Sequence, residues 1–157
     1  MRYLCIDLGD KRTGLAVGDD ITNLATAIGV LEVPRERNDG RALLDAIARA
    51  IDEHLGPHDQ LVVGFPLNMD DTEGPRARMV RRFAIQLGAH SGRAVHLHDE
   101  RLSSVQADWE MGRTGLTHKQ KKHKRDALAA AAILRDFFAA RGKSSTDLGP
   151  FPAQDTK

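Results

Sequence analysis

The chain opens on an almost unbroken apolar run, Tyr3-Leu4-Cys5-Ile6, that carries on through Asp7 to Leu8 and is stopped by Gly9-Asp10, so residues 2–8 read as a strand. Thr13–Val17 resumes the extended pattern until Gly18-Asp19-Asp20 breaks it, and the two strands read as an antiparallel hairpin. Ile28–Val33 reads as a third strand, ended by Pro34. The period then changes to helical. Leu43, Leu44, Ile47, Ile51 and Leu55 recur at three-to-four spacing, with Asn38 as the expected N-cap and Gly56-Pro57 as the stop. Leu61–Phe65 is a short, continuous apolar run with β-branched residues, the pattern of a strand covered on both faces. After a loop from Pro66 to Gly74, a helix starting at Pro75 carries the stripe Met79, Val80, Phe83 and Leu87. Ala94–His98 is the next strand. Ser103 is placed to cap a short helix through Met111, with Gln106 completing a capping box. Arg113–Leu116 reads as a mobile loop, and a long helix spans Lys119 to Ala140. The polar stretch after Gly142 is expected to be disordered.

This order, β-β-β-α-β-α-β-α-α, is not a pure βαβ repeat. It predicts an α/β fold with a mixed sheet, an antiparallel meander first and parallel strands joined by helical crossovers afterwards. With 157 residues the chain suits one domain, set here at residues 1–141, with 142–157 as the tail. A chain of this size buries roughly 70% of its unfolded surface. Its core must be aliphatic and alanine-rich, because only five Phe, one Trp and one Tyr are present. Cys5 is the only cysteine, which excludes an intrachain disulfide and a cysteine-based zinc site, and its place in a strand makes it a core thiol. No apolar run approaches the ~18 residues of a membrane span and the N-terminus has no signal-peptide pattern, so the expectation is a soluble cytoplasmic protein. The net charge of +1 points to no partner. Its distribution says more. Arg76, Arg78, Arg81 and Arg82 form one basic cluster, and Lys119, Lys121, Lys122, Lys124 and Arg125 form another without an acid among them. Each run alone suits a solvated helix face, whereas two in one small domain favour a polyanionic partner.

Three carboxylates stand out against apolar surroundings. Asp7 ends the first strand, and Glu100 follows the last strand directly. Asp126 shares a helical stripe with Ala129, Ala130, Ile133 and Phe137, which aims it at the sheet rather than at water. A carboxylate facing a core is costly unless compensated, so an arginine partner or a backbone cap is the plain reading of Asp126 alone. Three such acids that can meet at one sheet edge suggest a shared hard cation, Mg²⁺ or Mn²⁺, since clustered carboxylates cannot all ionise side by side without one. One or two such ions can activate water for phosphodiester cleavage.

The same residues belong to five ordered blocks: Asp7-Leu-Gly-Asp-Lys-Arg-Thr-Gly14, Val63-Gly-Phe-Pro-Leu-Asn-Met-Asp70, Thr72-Glu-Gly-Pro-Arg-Ala77, Asp99-Glu-Arg-Leu-Ser-Ser104 and Lys124-Arg-Asp-Ala-Leu-Ala-Ala130. Over about residues 2–140 the set closely resembles the bacterial YqgF-type family, whose names include both Holliday junction resolvase and pre-16S rRNA nuclease. The resemblance implies an RNase H-like fold with a five-stranded mixed sheet flanked by helices. It also implies that Asp7, Glu100 and Asp126 form a catalytic, metal-binding triad. Asp71 departs from the family pattern, standing where a glycine is expected, and adds a negative charge beside the nucleic-acid path.

Around these acids, Gly9 and Gly14 suit turn chemistry or a close approach of backbone amides to phosphate. Lys11, Arg12, Arg76, Arg101 and the lysines at 119, 121, 122 and 124 are the candidate phosphate contacts. Arg101 has two open readings, orienting Glu100 or touching phosphate. The start of the helix at Pro75 can hold a backbone phosphate. His96-x-His98-x-Glu100 places three potential zinc ligands on one strand face, but a further nitrogen or sulfur ligand at suitable spacing is missing. The resulting expectation is a metal-dependent endonuclease acting on structured nucleic acid, foremost in processing the 5′ end of pre-16S rRNA. Holliday junction resolution, which would call for a homodimer, is the alternative. A non-catalytic ribosome-assembly factor and an actin-like or sugar-kinase-like ATPase are the competing readings; the last pairs two such domains around its nucleotide, and this chain supplies one.

Overall fold

The computed structural model describes residues 1–101, 118–141 and 150–151, with side chains left aside at 118–122 and 150–151. The elements are β1 (Arg2–Leu8), β2 (Thr13–Asp19), β3 (Leu24–Leu31), α1 (Arg41–His54), β4 (Gln60–Phe65), α2 (Pro75–Ser91), β5 (Val95–Asp99), α3 (His118–Ala140) and β6 (Pro150–Phe151). They form one sheet in the order β3-β2-β1-β4-β5-β6. The β1–β2 and β2–β3 pairs are antiparallel, whereas β1–β4 and β4–β5 are parallel, as the element order predicts. Beyond the five expected strands, Pro150 and Phe151 pair antiparallel with His96 and Val95 and add a short sixth. This corrects the expectation for those two residues of the tail. The short helix from Ser103 and the loop at 113–116 lie outside the described residues. Among the described residues, no helix is long and apolar enough to cross a membrane.

Two boundaries differ from the sequence reading. β3 begins at Leu24 rather than Ile28, and its register against β2 shifts between Leu15 and Ala16, which leaves Ile28 as the extra residue of a bulge. Residues 24–27 are exposed or half-buried on an edge strand, so burial imposes little apolar alternation on them. Asn38 does not cap α1. It lies with Asp39 in a short turn where both adopt left-handed backbone (φ 51° and 57°), and Gly40 precedes the helix at φ 87°. Asn and Asp tolerate that region better than other side-chain-bearing residues, and this competes with their use as caps.

Side-chain alternation along each strand divides the core. Leu4, Ile6, Leu8, Leu15, Leu61, Val63, Phe65, Val95 and Leu97 face α1 and α2, where Leu43, Ile47, Val80, Phe83 and Leu87 cover them. Tyr3, Cys5, Ala16 and Val62 face α3 and pack on Ala130, Ala131, Ile133, Leu134, Phe137 and Phe138. Asp7, Gly14, Gly64 and Glu100 continue this second set by the same two-residue step. The polar edge of the sheet is thus delivered to the start of α3.

Candidate acidic site

The acids converge because β1, β4 and β5 run parallel. Asp7, Gly64 and Glu100 therefore reach the same end of the sheet, with Gly64 paired to His98 two residues before Glu100. Two glycines shape the convergence. A Cβ on Gly14, the residue opposite Asp7, would stand 1.9 Å from the main-chain oxygen of Asp126. A Cβ on Gly64 would stand 2.5 Å from Glu100 Oε2 and 2.8 Å from a methyl of Ile133. Glycine is needed at position 14, where a helix backbone closes in, whereas a side chain at 64 would push aside the Glu100 carboxylate and the Ile133 methyl. The sequence pattern suggests a turn or phosphate-loop role for Gly14 and no such role for Gly64. The available signal was the run of small residues Gly14, Ala16 and Gly18 at every second position of β2.

Asp7 and Glu100 line a pocket of about 290 Å³ with Pro66, Leu67, Arg101, Ala129 and Ile133. The two carboxyls face each other, an arrangement that favours a hydrogen bond with Glu100 as the protonated partner. Burial, the charge of Asp7 and that hydrogen bond push Glu100 up to about 8, against the pull of Arg76. Burial also raises Asp7, and the charge of Asp126 adds to the rise; the Glu100 hydrogen bond and Arg76 work the other way. Asp126 completes the constellation electrostatically, but its Oδ2 is turned to Arg12 Nε at 3.2 Å.

Among the described residues, no three His, Cys, Asp or Glu side chains stand ready to hold a metal ion. Arg12 and Arg76 bring positive charge to the three acids, and burial beside Asp7 favours a proton on Glu100. The donor set, all carboxylate oxygen, suits a hard divalent cation that would displace that proton and draw Asp126 from Arg12. The histidines do not join it. His98 Nε2 pairs with Asp136 at 2.6 Å and His96 Nε2 with Gln60 at 2.7 Å, both against the Phe137 ring.

The basic candidates divide by position. Lys11 is exposed at the β1–β2 tip, and Arg12 stands beside it on Asp126. Arg76, in the first turn of α2, donates to the carbonyl of Leu8 at 2.9 Å and lies 3.7 Å from Asp10, so it ties that helix to the hairpin. Arg101 faces Asp99 and Asp71 rather than Glu100, which corrects the reading that it orients that acid. Lys124 is exposed on α3, and the side chains of Lys119, Lys121 and Lys122 lie outside the described residues.

The family model described as RuvX, Holliday junction resolvase, matches residues 1–140. A protein of Anaeromyxobacter sp. (strain K), provisionally named a pre-16S rRNA nuclease, is 43% identical over 141 residues, covering 90% of this chain and 98% of that one. A protein of Myxococcus xanthus (strain DK1622) with the same provisional name is 38% identical over 150 residues, covering 96% and 95%. Among solved structures, Thermus thermophilus RuvC in complex with Holliday junction substrate is similar at a TM-score of 0.57 and 19% identity, over 96% of this chain and 99% of that one. That likeness is one of fold, the RNase H-like fold.

Proposed function

The chain belongs to the RuvX Holliday junction resolvase family, and on that premise we propose that it is a metal-dependent endonuclease that hydrolyses phosphodiester bonds in structured nucleic acid. Residues 1–141 would form the nuclease domain. The observation that carries the reading is the half-buried Asp7–Glu100 pair lining one pocket, with Asp126 beside it. Such a pair is unfavourable as two anions and suits a site completed by a cation. Asp7, Glu100 and Asp126 would hold Mg²⁺ or Mn²⁺, one ion or two. When bound, such ions supply a nucleophile from water at neutral pH and stabilise the leaving oxygen.

The chain's own groups prepare that chemistry. Glu100 would have to be deprotonated to hold the cation, so occupancy would rise with pH. Arg12, freed from Asp126, and Lys11 at the hairpin tip would meet phosphates of the bound strand. Lys119, Lys121, Lys122 and Lys124 at the start of α3 would extend the track by phosphate contacts that position without reading sequence. Pro66, Leu67, Ala129 and Ile133 give the pocket apolar walls.

Processing of the 5′ end of pre-16S rRNA is the substrate reading supported by the names of the relatives, and the cytoplasm is the setting it requires. The family description supports the alternative, a Holliday junction, which calls for two symmetric cuts and hence a homodimer. The test is purified protein with Mg²⁺ or Mn²⁺ against a precursor 16S transcript and a four-way DNA junction, with cut sites mapped. Cleavage of the transcript that disappears in folded Asp7→Asn supports the first reading, and cleavage of the junction alone supports the second. Binding of either substrate without cutting would return the chain to the class of non-catalytic assembly factors.

A further inference from the structure

Arg101 follows Glu100 directly, yet its nitrogen atoms are engaged elsewhere. Nε and Nη2 fork onto the Asp99 carboxylate at 2.6–3.0 Å. Nη2 also meets Asp71 Oδ1 at 2.7 Å. Nη1 donates to the carbonyls of Asn68 and Met69 at 3.1 and 3.5 Å. These acceptors account for all five N–H groups of the guanidinium, so a phosphate can join only where one of them leaves.

The acceptors are unequal. The Asp99 side chain is 13% exposed and holds Arg101 through two nitrogens, whereas that of Asp71 is 77% exposed and holds it through one. The two carbonyls belong to the loop backbone, which Asn68 and Thr72 close with hydrogen bonds of 2.9 and 3.1 Å. Asp71 is therefore the acceptor that leaves at least cost, since single exposed ion pairs contribute little. Its backbone gives a second indication. Asp71 lies at φ 68°, in the left-handed region where glycine forms a turn with less strain. The turn alone does not call for a side chain here, and the carboxylate pairs with Arg101, on the wall of the pocket that holds Asp7 and Glu100.

We infer that Asp71 occupies on Arg101 the place of a substrate phosphate, and that a phosphodiester entering the pocket displaces it. This rests on the nucleic-acid reading of the site. Displacement exchanges one single negative charge for another on the same guanidinium, and Asp71 returns to water. Asp71 is thus a built-in competitor that lowers affinity for nucleic acid and sets how tightly this chain binds rather than how it cuts.

The test is fluorescence anisotropy in EDTA, where cleavage is silent, using a labelled four-way DNA junction and a labelled precursor 16S fragment across a range of NaCl. Asp71→Asn is expected to bind about two- to fivefold more tightly than the natural chain. Asp70→Asn is the control for loss of charge alone, because Asp70 caps Thr72 through N and Oγ1 at 3.1 and 2.5 Å. Its gain should be smaller. In an Arg101→Gln background the gain from Asp71→Asn should vanish. Equal gains from the two aspartates, or a gain that survives without Arg101, would overturn the inference while leaving the nuclease reading intact. Failure of the natural chain and its variants to bind either nucleic acid, both in EDTA and with Ca²⁺ in its place, would overturn the nuclease reading and this inference with it.

Discussion

On the face of the sheet under α1 and α2, large aliphatic side chains meet large aliphatic side chains: Leu4, Ile6, Leu61 and Val63 against Leu43, Ile47, Val80 and Leu87. On the face under α3, β2 presents Gly14, Ala16 and Gly18, and the helix answers with Ala127, Ala130 and Ala131. The first face keeps its helices at the distance full side chains impose. The second lets a helix backbone settle onto a strand, so that Asp126 arrives beside Asp7 while Tyr3, Phe137 and Phe138 fill the far end. The same strands thus serve two purposes. Apolar bulk on one side supplies stability, and small residues on the other permit a half-buried cluster of acids that stability alone would not favour.

The largest effects should separate the two faces. Asp7→Asn is expected to lower cleavage roughly 10³-fold, the scale of several kcal/mol of transition-state stabilisation, with the thermal melt unchanged or raised. Leu61→Ala, on the opposite face, should cost about 2–5 kcal/mol of stability yet leave cleavage per folded molecule intact. Denaturant titration alongside a cleavage assay decides. A large fall in activity from folded Leu61→Ala would erase the distinction. Gly14→Ala comes next. With its new methyl directed into the Asp126 main chain, it should cost about 1–3 kcal/mol and reduce activity as well, because α3 must lift from the acids.

A smaller, pH-dependent effect sharpens the comparison. Folded Glu100 keeps its proton up to about 8, whereas an unfolded glutamic acid loses it near 4.5. Between those values the native state binds the extra proton, so stability falls as pH rises across the window. Glu100→Gln should flatten that fall, whose steepest slope from a single group is about 1.4 kcal/mol per pH unit in metal-free protein. Melts at pH 5 and pH 8.5 test it, and a slope identical in the variant would show that this carboxyl is not the source. Least of all, Arg12→Gln should weaken nucleic-acid binding similarly across sequences and reduce the salt slope by about one.

Much of the fold was legible because local pattern and burial agree. The runs at Tyr3–Ile6 and Leu61–Phe65, the stripe Met79–Leu87 and the alanines of α3 each announce the face they cover. β3 was legible only in part, since an edge strand is under little pressure to alternate. Asn38 misled because its left-handed turn and an N-cap draw on the same short polar side chain. For the site, Asp7, Glu100 and Asp126 could be singled out because each is an acid in apolar company. Their partners could not. The Arg12–Asp126 pair, the Asp99 fork on Arg101 and the space left by Gly64 are contacts across the fold, with no periodicity to reveal them.

The central claim is that acids 7, 100 and 126 share a divalent cation, and Mn²⁺ binding followed by electron paramagnetic resonance addresses it without recourse to activity. Titration at pH 8 should show loss of the free Mn²⁺ signal in the natural chain, weaker binding at pH 5.5, and a loss of tight binding in each of Asp7→Asn, Glu100→Gln and Asp126→Asn. Uptake that persists unchanged in all three variants, or no uptake by the natural chain at either pH, would contradict the account.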